Sequence, residues 1–193
     1  MRKPIAKVAF VLSLTALGCV LVGQATDYWL SKLSFHQGLW RYCRYLIHTD
    51  GQWECMSMDK RADYESWILA IRILEIISAI SLIGCLVVLF LYCRQEDTDS
   101  RTIHIVIALV GTLLAGATCL AGVTIYAIKK NQLHFDGHHR NRTLYQFDWS
   151  FALTCGGGAM ALVCAMFMAC ELRKGLAVNR YSGYQSIPDS VGT

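Results

Sequence analysis

Charge is scarce in this chain. Asp, Glu, Lys and Arg make up 17% of its 193 residues, against 54% hydrophobic, and only 2 residues are proline. Soluble domains run at about a quarter charged and half apolar. The net charge of +4 is small and the lysines and arginines are spread along the chain, which excludes a nucleic-acid binder with a strongly basic face. The composition also excludes a disordered or collagen-like chain. Missing too are a Gly-rich phosphate loop, a metalloprotease helix, a nucleophile elbow and a kinase signature. A membrane-embedded enzyme needs His, Asp or Glu clustered across its spans. Deep in the apolar runs only Arg72 and Glu75 are available. The expectation is a protein that is not an enzyme and takes no cofactor and no metal.

What the chain does have is apolar residues gathered in four blocks. Ile5 to Ala25 is interrupted only by Lys7, and Trp67 to Cys93 only by Arg72 and Glu75. Thr102 to Ile128 and Trp149 to Cys170 contain no Asp, Glu, Lys or Arg. About 20 helical residues cross a bilayer core about 30 Å thick, and backbone groups in lipid must be satisfied internally, which requires helices. The second and third blocks reach about 40 Å as helices, so they tilt or project. The first block has a second reading as a cleaved signal peptide. It has the basic start Arg2, Lys3 and Lys7 and a small-x-small triplet, Gly23-Gln24-Ala25. Its stretch from Val8 to Gln24, about 17 residues, is longer than the usual 7–15-residue apolar region.

Four spans place both termini on one side. Positive charge does not choose the side: eight Lys and Arg lie with the termini and nine opposite. Cysteine and glycosylation signals do choose. Cys43 and Cys55 are the only two of the nine cysteines in a long polar loop. Joined, they close a ring of about 13 residues, worth about 3 kcal/mol in the loop-entropy account, and disulfides belong to the oxidising side. Asn141-Arg142-Thr143 is an N-glycosylation acceptor on the same side as those cysteines. Both termini are therefore expected in the cytoplasm.

The segment from Thr26 to Ser66 is rich in Trp, Tyr and Phe, residues that favour strands. Arg41 to Ile47 reads as a strand, Asp50-Gly51 as a turn signal, and Gln52 to Met58 as the return strand. Setting Cys43 opposite Cys55 centres the turn on Thr49, so a loop of about His48 to Gly51 is expected. The result is a small extracellular antiparallel β-sheet, stapled once.

Trp29-x8-Gly38-Leu39-Trp40-x2-Cys43-x11-Cys55, directly after a first membrane helix, resembles the signature of the claudin superfamily. That group takes in claudins, peripheral myelin protein, epithelial membrane proteins, lens fibre membrane protein and calcium-channel gamma subunits. Residues 25–29 resemble the family's helix-to-loop junction, Arg72 its arginine early in the second helix, residues 122–126 the end of its third helix, and residues 147–151 the entry to its fourth. Phe35 to Cys43 is most similar to the lens fibre membrane protein. The resemblance implies that the first block is a retained helix, that Trp29 and Trp40 pack between sheet and bundle, and that juxtamembrane cysteines, here Cys93 and Cys170, carry palmitate. The tail ends Ser190-Val191-Gly192-Thr193, unlike the Tyr-Val ending common in claudins that anchor to scaffolds.

Arg72 and Glu75, three apart in the second helix, are expected to form an intramembrane ion pair. Gly157, Ala161, Ala165 and Ala169 form a small-residue stripe for packing within the bundle. His134, Asp136, His138 and His139 cluster in the second loop and read as polar surface rather than a metal site. Tyr184-Gln185-Ser186-Ile187 matches a Tyr-x-x-apolar sorting signal.

The expected architecture is a membrane all-α four-helix bundle, left-handed, with a small extracellular antiparallel β-sheet. Residues 1–172 form this claudin-like domain, with helices at about 5–25, 67–93, 102–128 and 149–170 and extracellular loops 26–66 and 129–148. Residues 173–193 are expected as a flexible cytoplasmic tail. The resemblance implies a multi-pass plasma-membrane protein at cell junctions. It would organise cell–cell contacts through cis and trans packing of its extracellular loops, with membrane lipids and like or related tetraspan proteins as partners. The alternatives are an auxiliary subunit of a channel or receptor, or a trafficking and signalling tetraspan.

Overall fold

The computed structural model describes residues 4–46, 51–60, 66–94, 98–136 and 146–185. Four helices carry it: α1 (Pro4–Ala25), α2 (Ser66–Arg94), α3 (Thr98–Asp136) and α4 (Trp149–Gln185). Each contains a stretch long and apolar enough to cross a membrane. They close into a ring in which α1 packs on α2 and α4, and α3 packs on α2 and α4.

Along α1 and the middle of α3 the bundle has small residues inside and large ones outside, while α2 puts Ile71, Leu82 and Leu89 into the interior. On α1 Ala6, Ala9, Ser13, Ala16 and Val20 are buried, spaced three and four apart as in a heptad seam. On α3, Ala108, Thr112, Ala115 and Cys119 repeat the spacing. The outward positions are Val11, Leu14, Ile80, Ile83, Val87 and Val110. In water this arrangement would be inverted. In lipid the tails are as apolar as leucine, so helices associate by close packing of small residues. Two buried threonine hydroxyls are bonded within their own helices: Thr112 Oγ1 donates to Ala108 O at 2.9 Å and Thr154 Oγ1 to Ser150 O at 3.0 Å.

Five strands make one antiparallel sheet at the end of the bundle away from the termini. They are β1 (Leu30–Lys32), β2 (Phe35–Gln37), β3 (Arg41–Leu46), β4 (Gln52–Ser57) and β5 (Gln146–Phe147), in the order β4-β3-β2-β1-β5. The expected β3–β4 pair is present with Cys43 opposite Cys55. The turn expected at about His48 to Gly51 lies outside the described residues except for Gly51, whose φ is +70°, a left-handed conformation suited to glycine. The β1–β2 hairpin and β5 were not expected. β5 comes from the other loop, between α3 and α4, and pairs with β1 through Leu30–Phe147 and Ser31–Gln146.

Two further differences concern length. α3 continues to Asp136, beyond the expected end near residue 128, and α4 continues to Gln185. Residues 173–185, expected as flexible tail, are therefore helical. Segment 171–182 contains Leu, Arg, Lys and Ala, good helix formers, and no proline before Pro188.

Candidate functional site

The sheet is seated on the bundle through Trp29, which is fully buried. Its indole Nε1 donates to the Gly23 carbonyl at the end of α1 at 2.6 Å. Its ring meets Tyr126 of α3 edge-on at 5.0 Å and Phe151 of α4 at 5.7 Å. One side chain thus ties the first helix, the sheet and the third and fourth helices together. Its backbone joins β2 to the entry of α4: Trp29 N donates to Gln37 O at 3.0 Å, and Asp148 N donates to Trp29 O at 3.2 Å.

Gly38, Leu39 and Trp40 each have a separate task. A Cβ on Gly38 would fall 2.6 Å from both Asp27 Cα and Thr26 O, so only glycine lets the β2–β3 corner lie on the chain leaving α1. Leu39 is buried with Trp29, Ile71 and Val123, and its carbonyl accepts from Arg72 Nε at 2.9 Å. Trp40 lies under the Arg72 guanidinium, 4.8 Å from its centroid, a cation–π contact. Arg72 Nη1 reaches Asp59 Oδ1 at 2.7 Å.

The ion pair expected between Arg72 and Glu75 is not formed. The guanidinium runs outward to Leu39 and Asp59, while the Glu75 carboxyl turns toward α1 and α3. Glu75 Oε2 accepts from Gln24 Nε2 at 3.2 Å, and the same amide donates to Glu75 O at 2.9 Å. Oε1 has no hydrogen-bond partner among the described residues and fills the space left by Gly122, where a Cβ would lie 2.7 Å away. Sequence reasoning missed both partners. Asp59 belongs to the short 3-10 turn Met58–Lys60. Gln24 is the lone amide in the last turn of α1, a polar residue in an apolar run, and that was the signal.

The face of the sheet turned away from the bundle carries a row of rings. Tyr28 stacks on Trp149 at 5.9 Å and on His36 at 4.6 Å. His36 meets Trp53 at 4.7 Å, and Trp53 meets Tyr45 at 5.3 Å. The Cys43–Cys55 disulfide crosses this face. His36 lies close to both sulfurs, but they bond each other and offer no thiolate to a metal. β4 closes one side of the sheet with all six residues exposed.

The other expected site residues are dispersed. Cys93, at the end of α2, and Cys170, in α4, are free and exposed. Gly157, Ala161 and Ala165 of the small-residue stripe face the bundle interior. Tyr184 falls in the last turn of α4. Asn141, Ile187, His138 and His139 lie outside the described residues, as do the side chains of His134 and Asp136.

The sequence that builds this junction has counterparts among known proteins. A protein of Danio rerio called p53 apoptosis effector related to PMP-22 is 22% identical to this chain over 138 residues, 70% of this chain and 64% of that relative. The chain thus matches just under two thirds of that relative's length. The family described as PMP-22/EMP/MP20/Claudin matches residues 5–168, from the first turn of α1 to within α4. With three spans, most of the fourth, the stapled sheet and the Trp29–Gly38–Leu39–Trp40 junction inside that match, the chain is a multi-pass membrane protein that belongs to the PMP-22/EMP/MP20/Claudin family.

Proposed function

We propose that this protein sits in the plasma membrane with both termini in the cytoplasm and the sheet outside the cell, where it organises contacts between cells. The observation that carries this reading is β4. It is the edge of a stapled sheet, and every residue in it is exposed. An open edge offers a row of backbone groups that another chain's strand can extend, which supports side-to-side assembly within one membrane. The ring-covered face is then what meets the opposing cell. The disulfide supports an outside position for the sheet, because such bonds persist in oxidising compartments.

The test is a mixed-cell contact assay. Tagged protein is expressed in cells lacking junctions and mixed with non-expressing cells, with Cys43→Ser as a folding control. Enrichment only where two expressing cells touch is the expected result. Uniform surface distribution with intact delivery refutes homophilic contact.

The name of the Danio rerio relative, an apoptosis effector, favours a second reading as a signalling or trafficking tetraspan. The extension of α4 to Gln185 gives such a role a structured cytoplasmic arm. Deleting residues 175–193 abolishes activity under this reading and spares contact formation under the first.

A further inference from the structure

Beneath the sheet, hydrogen-bond donors gather without matching acceptors. Gln37 is buried on the inner face of β2, Tyr126 is buried on α3, and the indole nitrogen of Trp67 is buried in the first turn of α2. Gln37 Nε2, Tyr126 Oη and Trp67 Nε1 have no hydrogen-bond partner among the described residues. Buried polar groups are almost always paired, and each exception calls for an explanation. Here three exceptions are neighbours. The rings of Trp67 and Tyr126 are 5.9 Å apart. Lys130 Nζ lies 5.7 Å from one centroid, 5.8 Å from the other, and 3.3 Å from Gln37 Oε1.

The chemistry of this group is one-sided. An amide N–H, an indole N–H and an ammonium donate only, and a phenol donates readily. The ligand that suits them is one rich in acceptor oxygens. Depth narrows it further. Trp67 opens the span Ser66–Arg94, and Tyr126 and Lys130 lie within about two turns of the end of the span Thr102–Gln132. That is the headgroup level, where tryptophan and tyrosine collect. Trp67 and Lys130 each keep part of their surface open, which gives a way in from the rim.

We propose that Lys130, Tyr126, Trp67 and Gln37 bind the phosphate of a phospholipid from the leaflet on the sheet side, drawn under the sheet against the tops of α2 and α3. The lipid is then a structural part of the seam between sheet and bundle.

The full-length protein in an uncharged detergent is melted with three probes: dioctanoyl-phosphatidate, dioctanoylglycerol and inorganic phosphate. Phosphatidate at roughly five times its Kd raises the melting temperature by about 2–4 °C for a chain of this size. Dioctanoylglycerol, with the same tails and no phosphate, does not, and inorganic phosphate at equal concentration does not. Tyr126→Phe removes one unmatched donor at constant shape, so without lipid it melts at or above wild type, while its phosphatidate shift falls by half or more. Lys130→Met abolishes the shift. An equal shift from dioctanoylglycerol overturns the proposal, as does a full phosphatidate shift in both variants. Equal stabilisation by inorganic phosphate overturns the lipid in favour of a free anion. A lower lipid-free melting temperature for Tyr126→Phe overturns it as well, since the hydroxyl then already has a partner in the protein.

Discussion

Gly156, Gly157 and Gly158 are consecutive in α4, yet adding one methyl group to each should have three different results. A Cβ on Gly156 meets nothing within 4 Å. Gly156→Ala therefore gains only helix propensity, up to about 1 kcal/mol. On Gly157 the Cβ would lie 2.7 Å from Val20 Cγ2 and 3.0 Å from Ala16 O. Neither neighbour yields easily: one belongs to a β-branched side chain, the other to the backbone of α1. The α1–α4 seam must open by several tenths of an ångström along the row that contains Ala9 and Ala16. Overpacking of this kind costs about 1–3 kcal/mol, and subtracting the propensity gain leaves Gly157→Ala destabilised by about 0–2 kcal/mol. Gly158 is intermediate. Its Cβ would lie 3.1 Å from Cys119 Sγ and 3.2 Å from Cys119 Cβ and Leu120 Cδ2, contacts that ask for a shift of only a few tenths of an ångström, so gain and cost nearly cancel. Thermal unfolding of the three variants in one detergent is the assay, with about 2–4 °C expected per kcal/mol. The expected order is Gly156→Ala, then Gly158→Ala, then Gly157→Ala, from most to least stable. If Gly157→Ala equals or exceeds Gly156→Ala, the close approach of α1 to α4 is wrong and the reasoning from small interior residues falls with it.

Three more outcomes follow from the same geometry. Cys43→Ser opens the β3–β4 staple at a cost of about 3 kcal/mol, and faster amide exchange confined to β3 and β4 would show it. Glu75→Gln replaces the carboxyl at a site that is 1% exposed with an uncharged amide while keeping an oxygen for Gln24, so it melts at or above wild type; a clear fall would mean the carboxyl has a cationic partner. Arg72→Lys cannot reach Leu39 O and Asp59 Oδ1 together, since it lacks the planar fork. It should cost about 1–3 kcal/mol, with the loss of amide protection centred on residues 38–40.

The four helices were legible because an apolar run of this length has few alternatives. β3 and β4 were legible from their aromatic residues and from two cysteines at a spacing that pairs across a turn. β1, β2 and β5 were not. They are two or three residues long, too short for alternation to register, and Leu33-Ser34 between β1 and β2 is not a turn dipeptide. The end of α4 was missed because the reading stopped where hydrophobicity stopped. A bilayer limits the apolar stretch and says nothing of how far the helix runs on in water. At the junction, Trp29, Gly38, Leu39 and Arg72 stood out in the chain, but their partners did not. Gln24 was read only as part of a cleavage-like triplet, while Gln37 and Lys130 look like ordinary polar residues until the sheet folds down on α3. What pairs with a buried charge is decided by which elements meet, and spacing along one helix cannot supply that.

β5 has a bearing on chimeras. Loop exchange between relatives treats the two outer segments as separate cassettes. Here Gln146 and Phe147 complete the sheet that begins at Leu30, and Asp148 N is bonded to the backbone of Trp29. A graft of the first segment alone leaves a foreign strand against β5, and a graft of the second alone removes the strand that borders the host's β1. The transferable unit is both segments together with the Trp29 seat, and swaps that respect this boundary are the ones in which a change of behaviour can be assigned to recognition rather than to a damaged fold.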